Sequence, residues 1–196
     1  MHALPPVLVT PPSGVLLSLA EAKAHLNIDV DATYDDFTIN TYIDAATAYL
    51  DGYHGILGRA LLNQTWKQSY AEFSWLLRLR LAPVLEVTQL TYYDRDGQQQ
   101  TVDSEAYSLF HDDLGPLVTF HDDYQFPSVA NRPDAVTVTY ECGVGDQPVP
   151  HPVKQAALLL VGHWYEHREA VSEVAQSAVP MAVDALVAPY RRVGLR

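Results

Sequence analysis

Val149-Pro150-His151-Pro152-Val153-Lys154-Gln155, the apolar run Ala156 to Tyr165 and the closing Glu166-His167-Arg168-Glu169 are the stretch on which the reading of this chain turns. Pro152 suits the first turn of a helix, where its missing N–H is one the helix leaves unbonded anyway. Val153, Ala156, Ala157, Leu160, Val161 and Trp164 recur at three- and four-residue spacings and form one stripe, while Leu158, Leu159 and Tyr165 cover the other side. A helix that is apolar all round belongs at the centre of a core or an interface. The run is about half the ~20 residues that a bilayer helix requires, so it predicts a buried helix and not a membrane span.

Upstream, Gly143 to Pro152 carries glycines 143 and 145 and prolines 148, 150 and 152, which return the chain to helix from something else. That something else is Leu62 to Tyr140, where the period alternates. Leu77, Leu79 and Leu81 fall on one face of a strand and Arg78 and Arg80 on the other. Leu85 to Tyr93 is rich in strand formers, and Asp94-Arg95-Asp96-Gly97 is a hairpin turn because Gly accepts positive φ. Further strands are expected near Tyr107–Phe110, Leu117–Phe120 and Ala135–Tyr140, giving an antiparallel region of roughly five or six strands.

At the front, Pro5, Pro6, Pro11, Pro12 and Gly14 make residues 1–17 an extended arm, since proline opposes both helix and ladder hydrogen bonding. Ser18 and Glu21 form a capping box opening a short helix, Leu19 to Leu26. A second helix starts at Thr33 with Asp35 and Asp36 in its first turn, and Phe37, Ile39, Ile43, Ala46, Tyr49 and Leu50 give one apolar stripe. Gly52 supplies the left-handed stop. Beyond the long helix, residues 171–180 read as a small-residue linker ending at Pro180, followed by a short helical piece, Ala182 to Ala188, and a basic tail with Arg191, Arg192 and Arg196.

The expected fold is therefore α+β: a helical core built from both chain ends (residues 18–60 and 148–190), a small antiparallel β-sheet insertion (61–147), an extended arm (1–17) and a basic tail (191–196), in a single domain with the β-region projecting from the helices. With 48% apolar and 18% charged residues, 196 residues can build a sizeable core. The 12 basic residues against 24 acidic ones leave a net charge of −12, which excludes a protein gripping phosphate backbones over its whole surface. An acidic surface suits solubility, or a channel wall along which DNA slides without sticking. Cys142 is alone, so neither a disulfide framework nor a thiolate-rich metal site is expected. The opening Met1-His2-Ala3-Leu4-Pro5-Pro6 lacks the basic start and apolar core of a signal peptide, so a soluble chain that is not exported is expected.

Several segments, taken in order, resemble the head–tail connectors (adaptors) of long-tailed phages, prophages and gene transfer agents. The pattern L-x-E-A-K-x-H-L is met by Leu19-Ala20-Glu21-Ala22-Lys23-Ala24-His25-Leu26, and an acidic-started helix with a glycine-bearing turn by Asp35 to Gly58. Leu62-Asn63-Gln64-Thr65-Trp66 is similar to the next strand, Pro83-Val84-Leu85-Glu86-Val87 to a P-V-x-x-V step, and Arg132 to Val138 to the strand R-P-D-A-V-T-V. Pro150 to Arg168 follows P-x-x-V-K-Q-A-x-L-L-L-V-x-H-W-Y-E-x-R, and Ala185-Leu186-Val187-Ala188-Pro189-Tyr190-Arg191 follows A-L-x-x-P-Y-R. The match covers roughly residues 15–192; the proline-rich arm of residues 1–14 falls outside it.

The resemblance implies a non-enzymatic virion protein, made in the bacterial cytoplasm, that docks as a ring on the portal and joins it to a tail-side connector or stopper. The ring it implies is dodecameric in the particle, and the isolated chain can be monomeric because weak head-to-tail contacts depend on the template that gathers them. DNA would pass through the lumen, and no cofactor, catalytic residue, metal site or membrane is implied. The partner-binding residues expected are Tyr190, Arg191 and Arg192 in the tail and Arg78 and Arg80 on the strand, since Arg suits interface ion pairs. A frayed, solvated terminus is the plainer reading of that tail. Trp66, Trp75 and Trp164 are read first as core and second as contacts between subunits.

Other constellations offer chemistry. His163, Glu166 and His167 satisfy H-x-x-E-H, in which histidines four apart share a helix face and bind one zinc while the carboxylate activates water. This is the alternative function, a zinc-dependent hydrolase, and it needs a third protein ligand, supplied in that class by a downstream Glu, for which Glu169 and Glu173 lie too near in sequence to be assigned. The plainer reading is a packed His163 and a His167 near the helix carboxyl end. His111-Asp112-Asp113 and His121-Asp122-Asp123 form a near repeat that would hold a divalent cation if both lay at the same end of a hairpin. Asp runs at strand ends are more often turn formers. Cys142 reads as a strand-end residue and lies in no nucleophile elbow, while Gly143-Val144-Gly145 lacks the remaining glycine and the Lys of a phosphate loop.

Overall fold

The change of period after Leu61 and its reversal after Gly143 correspond to two compact units in the computed structural model, which describes residues 3–167 and 178–192. One unit, β-rich, is built from Met1–Ser13 and Leu62–Gly145, and the other, helical, from Gly14–Leu61 and Asp146–Val193. The class is α+β, as expected.

In the β-rich unit, strands β1 (Val7–Ser13), β2 (Asn63–Tyr70), β3 (Leu76–Arg78), β4 (Val84–Tyr93), β5 (Gln99–Thr101), β6 (Tyr107–Asp112), β7 (Gly115–Phe120) and β8 (Val136–Cys142) form two antiparallel sheets, ordered β1-β2-β8-β4-β5 and β3-β7-β6. Strict alternation along β8 buries Val136, Val138, Tyr140 and Cys142, and along β2 it buries Gln64, Trp66, Gln68 and Tyr70. The register Trp66↔Tyr140 and Gln68↔Val138 sets these rows side by side on the core face. Phe73 links the sheets, its ring centroid 5.4 Å from Tyr92 of β4 and 5.6 Å from Phe120 of β7. The Asp94–Gly97 turn closes β4 onto β5, with Gly97 at φ 76° and the Asp94 carboxylate accepting from the Asp96 and Gln98 amides.

Two strands were not expected. Gln99–Thr101 is polar and fully exposed, and only its turn marks it. The proline-rich arm is strand β1, held antiparallel on β2 with irregular register between Leu8, Thr10 and Ser13. Proline opposes a ladder only on the side where its N–H is needed, and an edge strand has one side free.

In the helical unit, α1 (Leu19–His25) opens with the expected box: the Glu21 amide donates to Ser18 Oγ at 3.2 Å and the Ser18 amide to the Glu21 carboxylate at 2.8 Å. Helix α2 (Asp36–Leu50) begins after Thr33, later than expected; Asp35 stands at its N-cap but accepts the Tyr165 hydroxyl instead of capping the helix. Its predicted stripe divides. Ile39, Ile43, Ala46 and Leu50 are buried, whereas Phe37 and Tyr49 lie on the solvent side. Gly52, at φ 80°, follows the helix end, and the buried Asp51 carboxylate accepts the Leu61 amide at 2.6 Å, which pins the intervening bend.

Helix α3 (His151–Glu166) is the apolar helix, with Val153, Ala156, Ala157, Leu160 and Val161 buried, and it packs against α1, α2 and α4. Gly162 is crossed closely by the His25 ring, so a Cβ there would lie 3.2 Å from Nε2. Helix α4 (Ala178–Val187) starts before the predicted Ala182 and takes Pro180 into its first turn. The stretch 171–177 of the predicted linker lies outside the described residues.

Candidate docking surfaces

Arg78 and Arg80 are held by a buried polar network. The Gln68 side chain, fully buried, donates to the Arg78 carbonyl and to the Tyr70 hydroxyl at 2.9 Å each, and accepts the Arg80 amide at 2.9 Å. The Tyr70 hydroxyl donates to the same Arg78 carbonyl at 2.8 Å, and burial pushes its pKa up. With Leu77, Leu79 and Leu81 fully buried, the alternation turns Arg78 and Arg80 to the other side, as expected. Arg78 then forks onto Asp112, with both N···O distances 2.7 Å. That hydrogen bonding holds the Asp112 carboxyl down at about 2. Arg80 reaches the Ala3 carbonyl at 3.4 Å.

The other basic set lies in the helical unit. A 3-10 turn, Ala188–Tyr190, follows α4, and the Tyr190 carbonyl accepts from Arg59 at 3.5 Å. The Arg192 amide donates to the Leu57 carbonyl at 2.9 Å, so the start of the tail is tied to the bend after α2. Arg191 pairs with Asp184 of α4 at 2.5 Å. Each basic set is thus brought together within its own unit; Arg196 lies outside the described residues.

The two His-Asp-Asp clusters do not share a site. Asp112 pairs with Gly115 at the turn of the β6–β7 hairpin, while His121 follows the far end, where Tyr107 pairs with Phe120. The strands between separate the clusters by about 17 Å at the usual rise per residue. Asp112 also accepts the Leu114 amide, the ordinary work of a turn aspartate. In the H-x-x-E-H segment the His163 and His167 ring centroids are 4.7 Å apart, and His167 Nδ1 donates to the His163 carbonyl at 3.0 Å. Glu166 is exposed, and Glu169 and Glu173 lie outside the described residues. Among the described residues no group of three or more His, Cys, Asp or Glu side chains is placed to hold a metal ion, and no helix is long and apolar enough to cross a membrane.

Both glycine amides of the Gly143–Gly145 loop are already engaged: Gly143 donates to the Pro83 carbonyl at 3.0 Å and Gly145 to Asn63 Oδ1 at 2.9 Å. Cys142 is buried, with its thiol 3.6 Å from the Gln64 carbonyl. The tryptophans divide. Trp66 is core, its indole N–H on Gln64 at 2.8 Å; Trp164 meets Tyr42 with ring centroids 6.4 Å apart and planes tilted by 52°; Trp75 is 52% exposed. Arg132 and Asp134 of the R-P-D segment form a fork of 2.6 and 2.7 Å, with Arg132 3.9 Å above the Tyr93 ring.

Sequence reasoning placed Phe37 in the core and singled out neither Tyr34 nor Met181, yet these are 86%, 77% and 70% exposed. Such side chains are ordinary when scattered singly and mark a contact surface only where they group on one face. The signal was weak but present, because Phe37 sits out of phase with Ile39, Ile43 and Leu50 on the helix.

A chain in the structure described as the neck of an empty GTA particle computed with C6 symmetry has TM-score 0.76 and 24% identity, with 98% of each chain covered. A chain from the virion of a native gene transfer agent (GTA) particle has TM-score 0.75 and 25% identity, again over 98% of each chain. A third, from the neck of a native GTA particle computed with C12 symmetry, has TM-score 0.71 and 25% identity over the same 98% of each. No curated protein matches the sequence itself. The family model of the head completion protein matches residues 15–193. On that span, the chain belongs to the head completion protein family.

Proposed function

We propose that this chain is a structural head–tail adaptor that docks as a ring on the portal and joins it to the tail-side connector or stopper, leaving a channel for DNA. The observation that carries the reading is the end-to-end likeness, over 98% of both chains, to a protein of the gene transfer agent neck. The C6 and C12 symmetries of those necks support a ring of copies, with twelve as the number in the particle. The role is mechanical and non-enzymatic, and the place of action is the virion, after synthesis in the bacterial cytoplasm. Tyr190, Arg191 and Arg192 face the portal, and Arg78 and Arg80 are a second contact. The net charge of −12 supports a lumen wall that DNA passes without adhering.

The test is co-sedimentation of the full chain with tailless, DNA-filled heads from the same source, beside a variant truncated after Ala188. Saturable binding at a ring-like number of copies per head is expected, and its loss in the truncated chain assigns docking to the tail. Absence of binding by the intact chain would overturn the adaptor reading.

A further inference from the structure

The helical unit exposes two helix faces that its own core does not use. On α2, Phe37 leads a solvent-facing row of Thr41, Ala45, Ala48 and Tyr49, with Asp44 as the one charge among them. On α4 and the 3-10 turn that follows it, Met181 leads Ala182, Ala185 and Ala188, and the one carboxylate there, Asp184, is held by Arg191 at 2.5 Å. Helix α3 packs against both, and of its residues only His151, Gln155 and Glu166 are exposed. The two faces therefore look outward on different sides of α3 within one compact unit. The alanines allow a second helix to approach closely, and the large apolar residues at the row ends act as knobs.

We propose that the outer face of α2 in one copy packs antiparallel on the outer face of α4 in the next, with Met181 beside Ala48–Tyr49, Ala185 beside Ala45 and Ala188 beside Thr41. Charge identifies the occupant as a second copy. Chains of net charge −12 repel one another, so copies meet favourably where charge is sparse, as on these two rows. The ends set the direction: α2 is entered through Asp29, Asp31 and Asp35, and α4 leads out to Arg191 and Arg192, so an antiparallel arrangement sets the basic exit beside the acidic entry. Two different faces make a heterologous contact, which propagates head to tail and gives a ring when the rotation between copies closes, as docking on a ring-shaped template imposes. The inference rests on the ring reading above and names its interface.

The test uses full-length chain carrying Ala45→Cys and Ala185→Cys on a Cys142→Ser background, loaded onto tailless heads, oxidised briefly and run on a denaturing gel. A ladder of covalent oligomers is expected. Each single-cysteine chain should stay monomeric, and an equal mixture of the two should stop at dimers. A double variant that saturates heads at the ring-like number without a ladder would overturn the interface and leave the adaptor reading standing. Dimers from either single variant alone would mean that a face packs on its own kind, which also overturns it. If the unmodified chain fails to bind heads, both readings fall. As a second measurement, Phe37→Ala should raise the concentration for half-saturation at least about tenfold, the scale of losing an interface anchor, with the thermal midpoint unchanged. Unchanged saturation would count against the proposal.

Discussion

Replacing Lys23 by Met perturbs one buried charge and little else. The ammonium is 3% exposed, donates to the Val30 carbonyl at 3.0 Å and the Ala32 carbonyl at 2.7 Å, and lies 2.5 Å from Asp36. It thereby holds the turn between α1 and α2 against the first turn of α2. Methionine keeps most of the stem volume, so the loss is polar. Hydrogen bonds to a charged group contribute about 1.5–3 kcal/mol each, and removing one partner strands the others. These terms are not additive, and Asp36 is 28% exposed, so water reaches it once the ammonium is gone. A net cost of about 3 kcal/mol follows, at the low end for breaking a buried ion pair. For a chain of this size that lowers the melting temperature by about 6–12 °C. Scanning calorimetry of the full chain measures it. Adding Asp36→Asn should recover part of the loss, because the stranded carboxylate goes with it. A shift below about 1 °C for Lys23→Met would refute the reasoning, since the ammonium would then be contributing nothing where it lies.

Three further outcomes are expected. The Asp112 carboxyl, held by Arg78, should titrate near pH 2 by NMR and return to the ordinary carboxylate range in Arg78→Ala; a native midpoint near the ordinary value would contradict the fork. Because its folded pKa is depressed, any stability the pair contributes is fully present above pH 4 and lost as pH falls through about 2, so the difference in melting temperature between native chain and Asp112→Asn should close in that window. Gly143→Ala should cost at least about 1–3 kcal/mol in denaturant titration. The position has φ 142°, and a Cβ would lie 2.5 Å from Asn63 Oδ1 and 2.7 Å from the Leu62 carbonyl. Ser18→Ala should cost about 1 kcal/mol by loss of the capping box, and Ser18→Asp should restore most of it.

How legible each part was depended on whether its cause is local. The capping box at Ser18, the turn at Asp94–Gly97 and the alternation from Leu77 to Leu81 are set by neighbours in sequence, and the structure holds each where the residues indicate. The buried stripe of α3, Val153 to Val161, was legible from its spacing, but the other side, Leu158, Leu159 and Tyr165, is only half-buried. Strand β1 was hidden, because the prolines that oppose a central strand are tolerated at an edge, and whether a strand is an edge is a property of the sheet. The outward turn of Phe37 and Tyr49 was hidden for a related reason. Spacing of three and four groups residues within a broad arc, and only the position of α3 decides which part of that arc is covered. For the His-Asp-Asp clusters the turn role was legible, but whether they share a hairpin end was not, because their separation depends on the β6–β7 register, which follows from the turn after Asp112. Basic residues were easy to find against an acidic background, but not the pairing of Arg78 with Asp112 or of Arg191 with Asp184, which join residues distant in sequence or across a turn.

The most direct test of the adaptor account is an electron cryomicroscopy reconstruction, without imposed symmetry, of tailless heads incubated with the full chain. The account predicts one ring of added density per head, at the portal vertex alone, around an open axial channel. Density spread over the shell, or none at the portal under conditions where the chain co-sediments with heads, would contradict it.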